Sequence, residues 1–206
     1  RQERLTRDRE LHTNALYQLT KELSEAGSLT DLIGISVREI RKNFGWDAIF
    51  ILQDGTNHLQ DSSQNTTIKK LSANEMSVAE WVFKHSRKAG KHTDTLPSNK
   101  YTFYPLSGYS IKPGVLVAEH PGPLNEGNDE FWATFLIQIS NAIERRFLDD
   151  MARKARFLDE SDKLYKTLFN SISHELKIPV ATIMGASDSL LTPQLTPDIR
   201  NELINE

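Results

Sequence analysis

Between Asn128 and Ile178 the chain contains neither glycine nor proline. Such a run is compatible with one continuous helix of roughly 75 Å, too long for a compact domain to hold along its whole length. The apolar residues change phase along it. Phe135, Ile139, Ile143, Phe147 and Met151 recur every four residues, which suits a helix packed on a globular core. Leu148, Met151, Ala155, Leu158, Asp162, Tyr165, Phe169, Ile172 and Leu176 then alternate steps of three and four, the heptad seam of a coiled coil. Asp162 is the polar exception. It reads either as a buried carboxylate that leaves the seam able to switch, or as the mark of a splayed, solvated coil.

Ahead of this helix the pattern mixes helices and strands. Residues 1–25 read as a helix with Leu16, Leu19 and Leu23 on one face, and Gly27 separates it from a second helix. Ser28, with Asp31 three residues on, opens that helix, and Leu32, Ile33, Val37, Ile40 and Phe44 recur along it at helical spacing. WDAIFILQ (46–53) is a strand, Asp54-Gly55 suits a hairpin turn, and HLQDSS suits the return strand. TIKKL (67–71) is ambiguous. Ser72 and Glu75 form a capping-box pattern that opens a helix expected to run to Gly90. Residues 91–100 read as a loop, and YTFYPL and GVLVAEH as two further strands. The expected class is α+β, an antiparallel sheet flanked by helices. After Leu191, Thr196 and Pro197 suggest the N-cap and first residue of an antiparallel helix, with Asp198 favoured by its dipole.

Composition removes several functions. Twenty-five basic residues against 28 acidic ones, a net charge of -3, argue against a nucleic-acid partner. The absence of cysteine excludes disulfides, thiolate nucleophiles and cysteine zinc sites. No apolar run approaches the roughly 18 residues needed to cross a bilayer. The chain starts at Arg1 and stops at Glu206 inside a new helix, so a piece of a longer protein is expected.

SISHELKIPV (171–180) carries the chemistry. His174 lies about 200° around the helix from Ile172, away from the seam, on a stripe with Lys166, Asn170 and Lys177. An outward imidazole beside a carboxylate can act as a nucleophile whose proton the acid accepts. Pro179 lacks an N–H, so the Glu175 carbonyl loses its helical partner and the backbone can bend just after His174. By composition alone an ordinary surface histidine is the plainer reading. A zinc protease would need a second histidine where Ile178 stands, and Ser171 and Ser173 lack the sharp turn that a hydrolase nucleophile requires.

SISHELKIP resembles the H-box of sensor histidine kinases, on the first helix of their dimerisation and phosphotransfer hairpin. The resemblance implies that His174 accepts the γ-phosphoryl group of ATP, that Glu175 assists as base, and that the group passes to a response regulator's receiver domain. It also implies a homodimer through the terminal helices, and a separate catalytic domain that brings ATP and magnesium. This segment holds no cofactor of its own and is not expected to be active alone. The family has Thr or Asn four residues after the histidine, where Ile178 stands, so regulator dephosphorylation by that route is expected to be weak.

The order of elements over 10–147 resembles a GAF domain, a fold that senses small molecules. VAEWVFKHSRKAGKHTDTLPSNKYTFYPLSGYSIKPGVLVAE (78–119) is similar to the cytoplasmic GAF region of KdpD-type sensor histidine kinases. Those proteins respond to potassium limitation and turgor and carry membrane spans upstream. The resemblance thus implies the cytoplasmic part of a bacterial inner-membrane protein, attached to the membrane only through segments outside this sequence. The expected division is 1–147 for the sensor domain, 148–164 for a coiled-coil linker and 165–206 for the start of the phosphoacceptor hairpin.

Candidate pocket residues for a small-molecule ligand are Phe50, Leu52, Trp81, His85, Tyr104 and Val117; the plainer reading places the aromatics in the core. No cysteine is available to attach a bilin, and no metal site is expected. GKHTDT (90–95) offers an anion loop or a plain solvated one. NEGNDEF (125–131) reads as a helix start capped by Asn128, with Asp129 and Glu130 favoured by the dipole. The alternative to the kinase reading is a non-catalytic dimeric GAF module, ligand-binding or scaffolding, with a degenerate H-box.

Overall fold

Apolar alternation builds a single antiparallel sheet in the computed structural model, which describes residues 2–54, 58–61, 70–120, 122–124 and 126–190. The elements in order are α1 (Gln2–Glu25), α2 (Leu29–Phe44), β1 (Asp47–Gln53), β2 (Leu59–Asp61), α3 (Ala73–His85), β3 (Ala89–Gly90), β4 (Thr102–Leu106), β5 (Gly114–Glu119) and α4 (Glu126–Leu190). The strand order is β2-β1-β5-β4-β3, every neighbouring pair antiparallel. This is the expected α+β plan, with one strand more than the sequence suggested. The described residues up to 150 form one compact unit, and those from 151 to 190 belong to a second.

The helix starts follow from side chains that satisfy free amides. Ser28 caps α2, its hydroxyl accepting from the Asp31 amide at 3.1 Å. Ser72 and Glu75 form a reciprocal capping box on α3. Two boundaries differ from expectation. α3 stops at His85, where Ser86 takes a left-handed conformation (φ 53°) and donates its amide to Val82. Ala89 and Gly90 leave the helix to pair with Phe103 and Thr102 as an edge strand. A side chain on Gly90 would strike the Tyr101 carbonyl oxygen, so only glycine permits that approach. α4 begins at Glu126, which places Asn128 inside the helix rather than at its cap. The β1–β2 hairpin forms, but Gly55 of its turn, most of TIKKL and the helix expected from Pro197 lie outside the described residues.

Side-chain alternation splits the sheet into two cores. On one face Ala48, Phe50, Leu52, Tyr104, Leu106, Leu116 and Ala118 pack against α1, α2 and the start of α4. On the other, Ile49, Ile51, Phe103, Val115 and Val117 pack against Val78, Ala79 and Val82 of α3. Phe131, Trp132, Phe135, Ile139 and Ile143 of α4 are buried in the first core. Trp132 meets Phe44, Trp46 and Tyr104 edge-on, with ring centroids 5.0, 4.9 and 5.2 Å away.

One polar contact locks α4 to the sheet. The Glu144 carboxylate, 5% exposed, accepts the backbone amides of Tyr109 (2.6 Å), Ser110 (2.5 Å) and Ile111 (2.8 Å) in the β4–β5 loop. Burial by itself would raise its pKa. The three amide donors together outweigh that and hold it below the ordinary carboxylate value. Gly108 lies against the carboxylate, where a Cβ would come within 2.5 Å of it.

The second unit holds residues 151–190 of α4, where the seam residues Met151, Leu158, Tyr165, Phe169, Ile172 and Leu176 are exposed. Asp162 pairs with Lys166 one turn on, at 2.7 Å, and both are exposed, as are the apolar seam residues beside them. The helix continues through Pro179 to Leu190.

Glu144→Gln and Gly108→Ala should each lower stability by about 1–3 kcal/mol in urea unfolding followed by tryptophan fluorescence. The double variant should lose less than the sum, since both changes strike one contact. The Glu144 contribution is present at neutral pH and is lost as pH falls from the ordinary carboxylate value through its depressed one. Additive losses would contradict a shared contact.

Candidate functional site

There are two candidate places, one in each unit. The first is the stretch of α4 that carries the H-box-like sequence. His174 and Glu175 are adjacent and exposed on the helix, with Ile178 one turn on and also exposed. Lys166, Asn170 and Lys177, predicted to share the histidine's stripe, are exposed as well.

The second is in the sensor unit. The six pocket candidates from the sequence do not share one face of the sheet. Phe50, Leu52 and Tyr104 lie in the core against α1, α2 and α4, whereas Val117 and Trp81 belong to the core under α3. Adjacent positions along paired strands point to opposite faces, which separates them. Phe50, Leu52 and Val117 are fully buried packing residues. His85 is exposed on α3; its ring stacks on Trp81 at 4.5 Å and its Nδ1 lies 2.8 Å from the Trp81 carbonyl oxygen. Tyr104 alone of the six lines the cavity described next.

Where β4 begins and β5 ends, a cavity of 240 Å³ opens beside Lys88, His92, Thr93, Tyr104, His120 and Asp129. His120 is its most constrained group, 3% exposed and stacked on Trp46 at 4.4 Å. Its Nδ1 lies 2.7 Å from the Gly122 carbonyl oxygen, so that nitrogen carries a proton. Its Nε2 lies 2.8 Å from Thr102 Oγ1, and Thr102 Oγ1 is also 2.7 Å from the Lys91 carbonyl oxygen. The hydroxyl proton therefore has two acceptors. It goes to Nε2 when the imidazole is neutral and to Lys91 when Nε2 is protonated. Tyr104 Oη is farther from Nε2, at 3.5 Å. Burial lowers the His120 pKa most; the bond to Gly122 opposes this, and His92 and Lys91 reinforce it. Burial, with Asp129 adding to it, raises the Tyr104 phenol, which stays neutral.

The sequence did not single out His120, His92 or Thr102. The signal was present in the alternation: His120 follows Leu116 and Ala118 at period two, as Thr102 precedes Tyr104 and Leu106. Most backbone amides of the GKHTDT loop are occupied within the fold. The Gly90 amide goes to Thr95, the Thr93 amide to Gly90, the Thr95 amide to the Thr93 hydroxyl and the Lys91 amide to Tyr101. Four of the six amides of the loop are thus occupied, so it presents no run of successive free amides to an anion. Among the described residues no cluster of three or more His, Asp or Glu could hold a metal ion, and no helix is long and apolar enough to cross a membrane.

No protein-family model matches the chain. The sensor protein KdpD of Escherichia coli strain K12 is 29% identical over 193 residues, covering 92% of this chain and 21% of that protein. The sensor protein KdpD of Clostridium acetobutylicum is 28% identical over 207 residues, covering 96% and 23%. The chain thus spans about a fifth of the length of these curated relatives. Among solved structures, the native GAF domain of the potassium sensor histidine kinase KdpD from Escherichia coli superposes with a TM-score of 0.57 at 26% identity, covering 67% of this chain and 96% of that one.

A buried neutral histidine makes stability depend on pH with a definite sign. The unfolded chain takes up the proton first, near the ordinary histidine value, so stability is full above about pH 6.5 and declines as pH falls through the depressed folded value. His120→Phe keeps a ring beside Trp46 and removes that titration. Its stability between about pH 5 and 6.5 should fall less steeply than the wild type's in chemical denaturation. Equal slopes would show that His120 is not the group responsible.

Proposed function

We propose, from the premise that the chain is homologous to the KdpD sensor proteins and carries a GAF fold, that it is the sensor-to-acceptor segment of a two-component histidine kinase. Its GAF unit senses, and α4 carries the response to His174. The observation that supports this most is that one helix holds both the residues closing the sheet core (Phe135, Ile139, Ile143) and the His174–Glu175 pair.

In this reading two chains pair through their terminal helices, the apolar seam of α4 supplying the contact. A separate catalytic domain presents ATP with magnesium. The His174 imidazole attacks the γ-phosphorus, an N–P bond forms, and the bond to the bridging oxygen breaks with ADP leaving. Glu175, the neighbouring carboxylate, takes the imidazole proton. The phosphoryl group then moves to an aspartate on a receiver domain. The parent protein would sit in the bacterial inner membrane through segments outside this sequence, with the part described facing the cytoplasm. Ile178 favours a second reading, a dimeric GAF module with a degenerate H-box, because an alkyl side chain cannot orient a water for dephosphorylation.

The test uses the parent protein's whole cytoplasmic part with labelled ATP. Wild type should take up acid-labile label and His174→Gln should take up none. Ile178→Thr should leave labelling intact and raise regulator dephosphorylation several-fold. Label that persists in His174→Gln, or no label in the wild type, would leave the binding module as the better reading.

A further inference from the structure

The cavity beside His120 holds charges of both signs that are not satisfied by the protein. Lys88 precedes β3, His92 follows it, and Asp129 lies near the start of α4. Among the described residues, the Lys88 and Asp129 side chains make no hydrogen bond or ion pair, although they line the same cavity. The His92 ring lies 5.1 Å from that of His120, centroid to centroid, and among the described residues makes no side-chain hydrogen bond or ion pair. His92 itself sits at φ 58°, a conformation costly for a residue with a Cβ, so the backbone is bent where the imidazole is offered to the cavity.

Both signs line the one cavity, around the Tyr104 hydroxyl and the His120 ring, which lie 3.5 Å apart. An anion alone would leave Lys88 and His92 satisfied but meet the Asp129 carboxylate. A cation alone would meet the reverse. In the neighbouring loop the amides of Gly90, Lys91, Thr93 and Thr95 are already hydrogen-bonded. The volume of 240 Å³ is below the roughly 300–1,000 Å³ typical of sites for drug-sized molecules. Leu124 and Pro123 supply a short apolar wall.

We propose that this cavity binds a small zwitterion of free amino-acid size, its carboxylate held by Lys88 and His92 and its ammonium by Asp129. Such a ligand joins the start of α4 to the β3 edge of the sheet. Its consequence for phosphotransfer rests on the sensor reading above; its binding does not.

The test is thermal unfolding of the full 206-residue chain with each of the common L-amino acids in turn at about 10 mM. At least one should raise the melting temperature with a saturating dose dependence. Its N-acetyl and carboxamide derivatives should fail to do so. Asp129→Asn and Lys88→Gln should each weaken binding by about tenfold or more, each shift being read against that variant's own unliganded melting temperature. No shift with any amino acid overturns the proposal, as does a shift that survives both substitutions. Inorganic phosphate binding that tightens in Asp129→Asn would instead make the cavity an anion site and overturn it as well. The assay contains no ATP, so a failure of His174 to accept phosphate leaves its result standing.

Discussion

A single buried carboxylate fixes how the long helix meets the sheet. Glu144 has left water, and a bare charge there would be untenable; the amides of Tyr109, Ser110 and Ile111 replace its hydration. The contact is directional, unlike the apolar packing around it. Phe135, Ile139 and Ile143 make burial of one stripe favourable but tolerate a small slide or roll. Three amides converging on one carboxylate tolerate neither. Gly108 belongs to the same arrangement, because any side chain there would occupy the space of the carboxylate.

The remainder of the sensor unit is arranged around that joint. The aromatic cluster of Phe44, Trp46, Trp132 and Phe135 fills the space between α2, the sheet and α4. His120 stacks at its edge and is tied to the β4 start through Thr102. Asp129 and Glu144 thus mark two points of α4 that face the sheet's polar features, one at the cavity and one at the β4–β5 loop. A ligand or a proton acting at the first would be felt by a helix whose position is set at the second.

Much of this could be read from the residues. Ser28, Ser72 and Glu75 announce helix starts by a local mechanism, and the period-four stripe of α4 identifies the buried face as far as Ile143. The misses share a cause: they depend on partners distant in sequence. β3 is two residues long and exists only through its pairing with β4. Ser86 ends α3 in a left-handed conformation that its residue type does not advertise, so the helix seemed to run to Gly90. The pocket candidates were chosen for bulk and chemistry without regard to alternation, and so fell on both faces of the sheet. Glu144 looks like one more charged residue of an Ile143-Glu144-Arg145-Arg146 run, and nothing local shows that a loop more than thirty residues earlier will bring it three amides.

The claim on which the account turns is that the β4–β5 loop is held by α4. Amide hydrogen exchange at Tyr109, Ser110 and Ile111 measures that directly. The account predicts protection close to that of the paired strand residues Val115 and Val117, abolished in Glu144→Gln while the strands stay protected. Exchange at the rate of an unstructured loop in the wild type would contradict it, and would leave apolar packing alone to position the helix that carries His174.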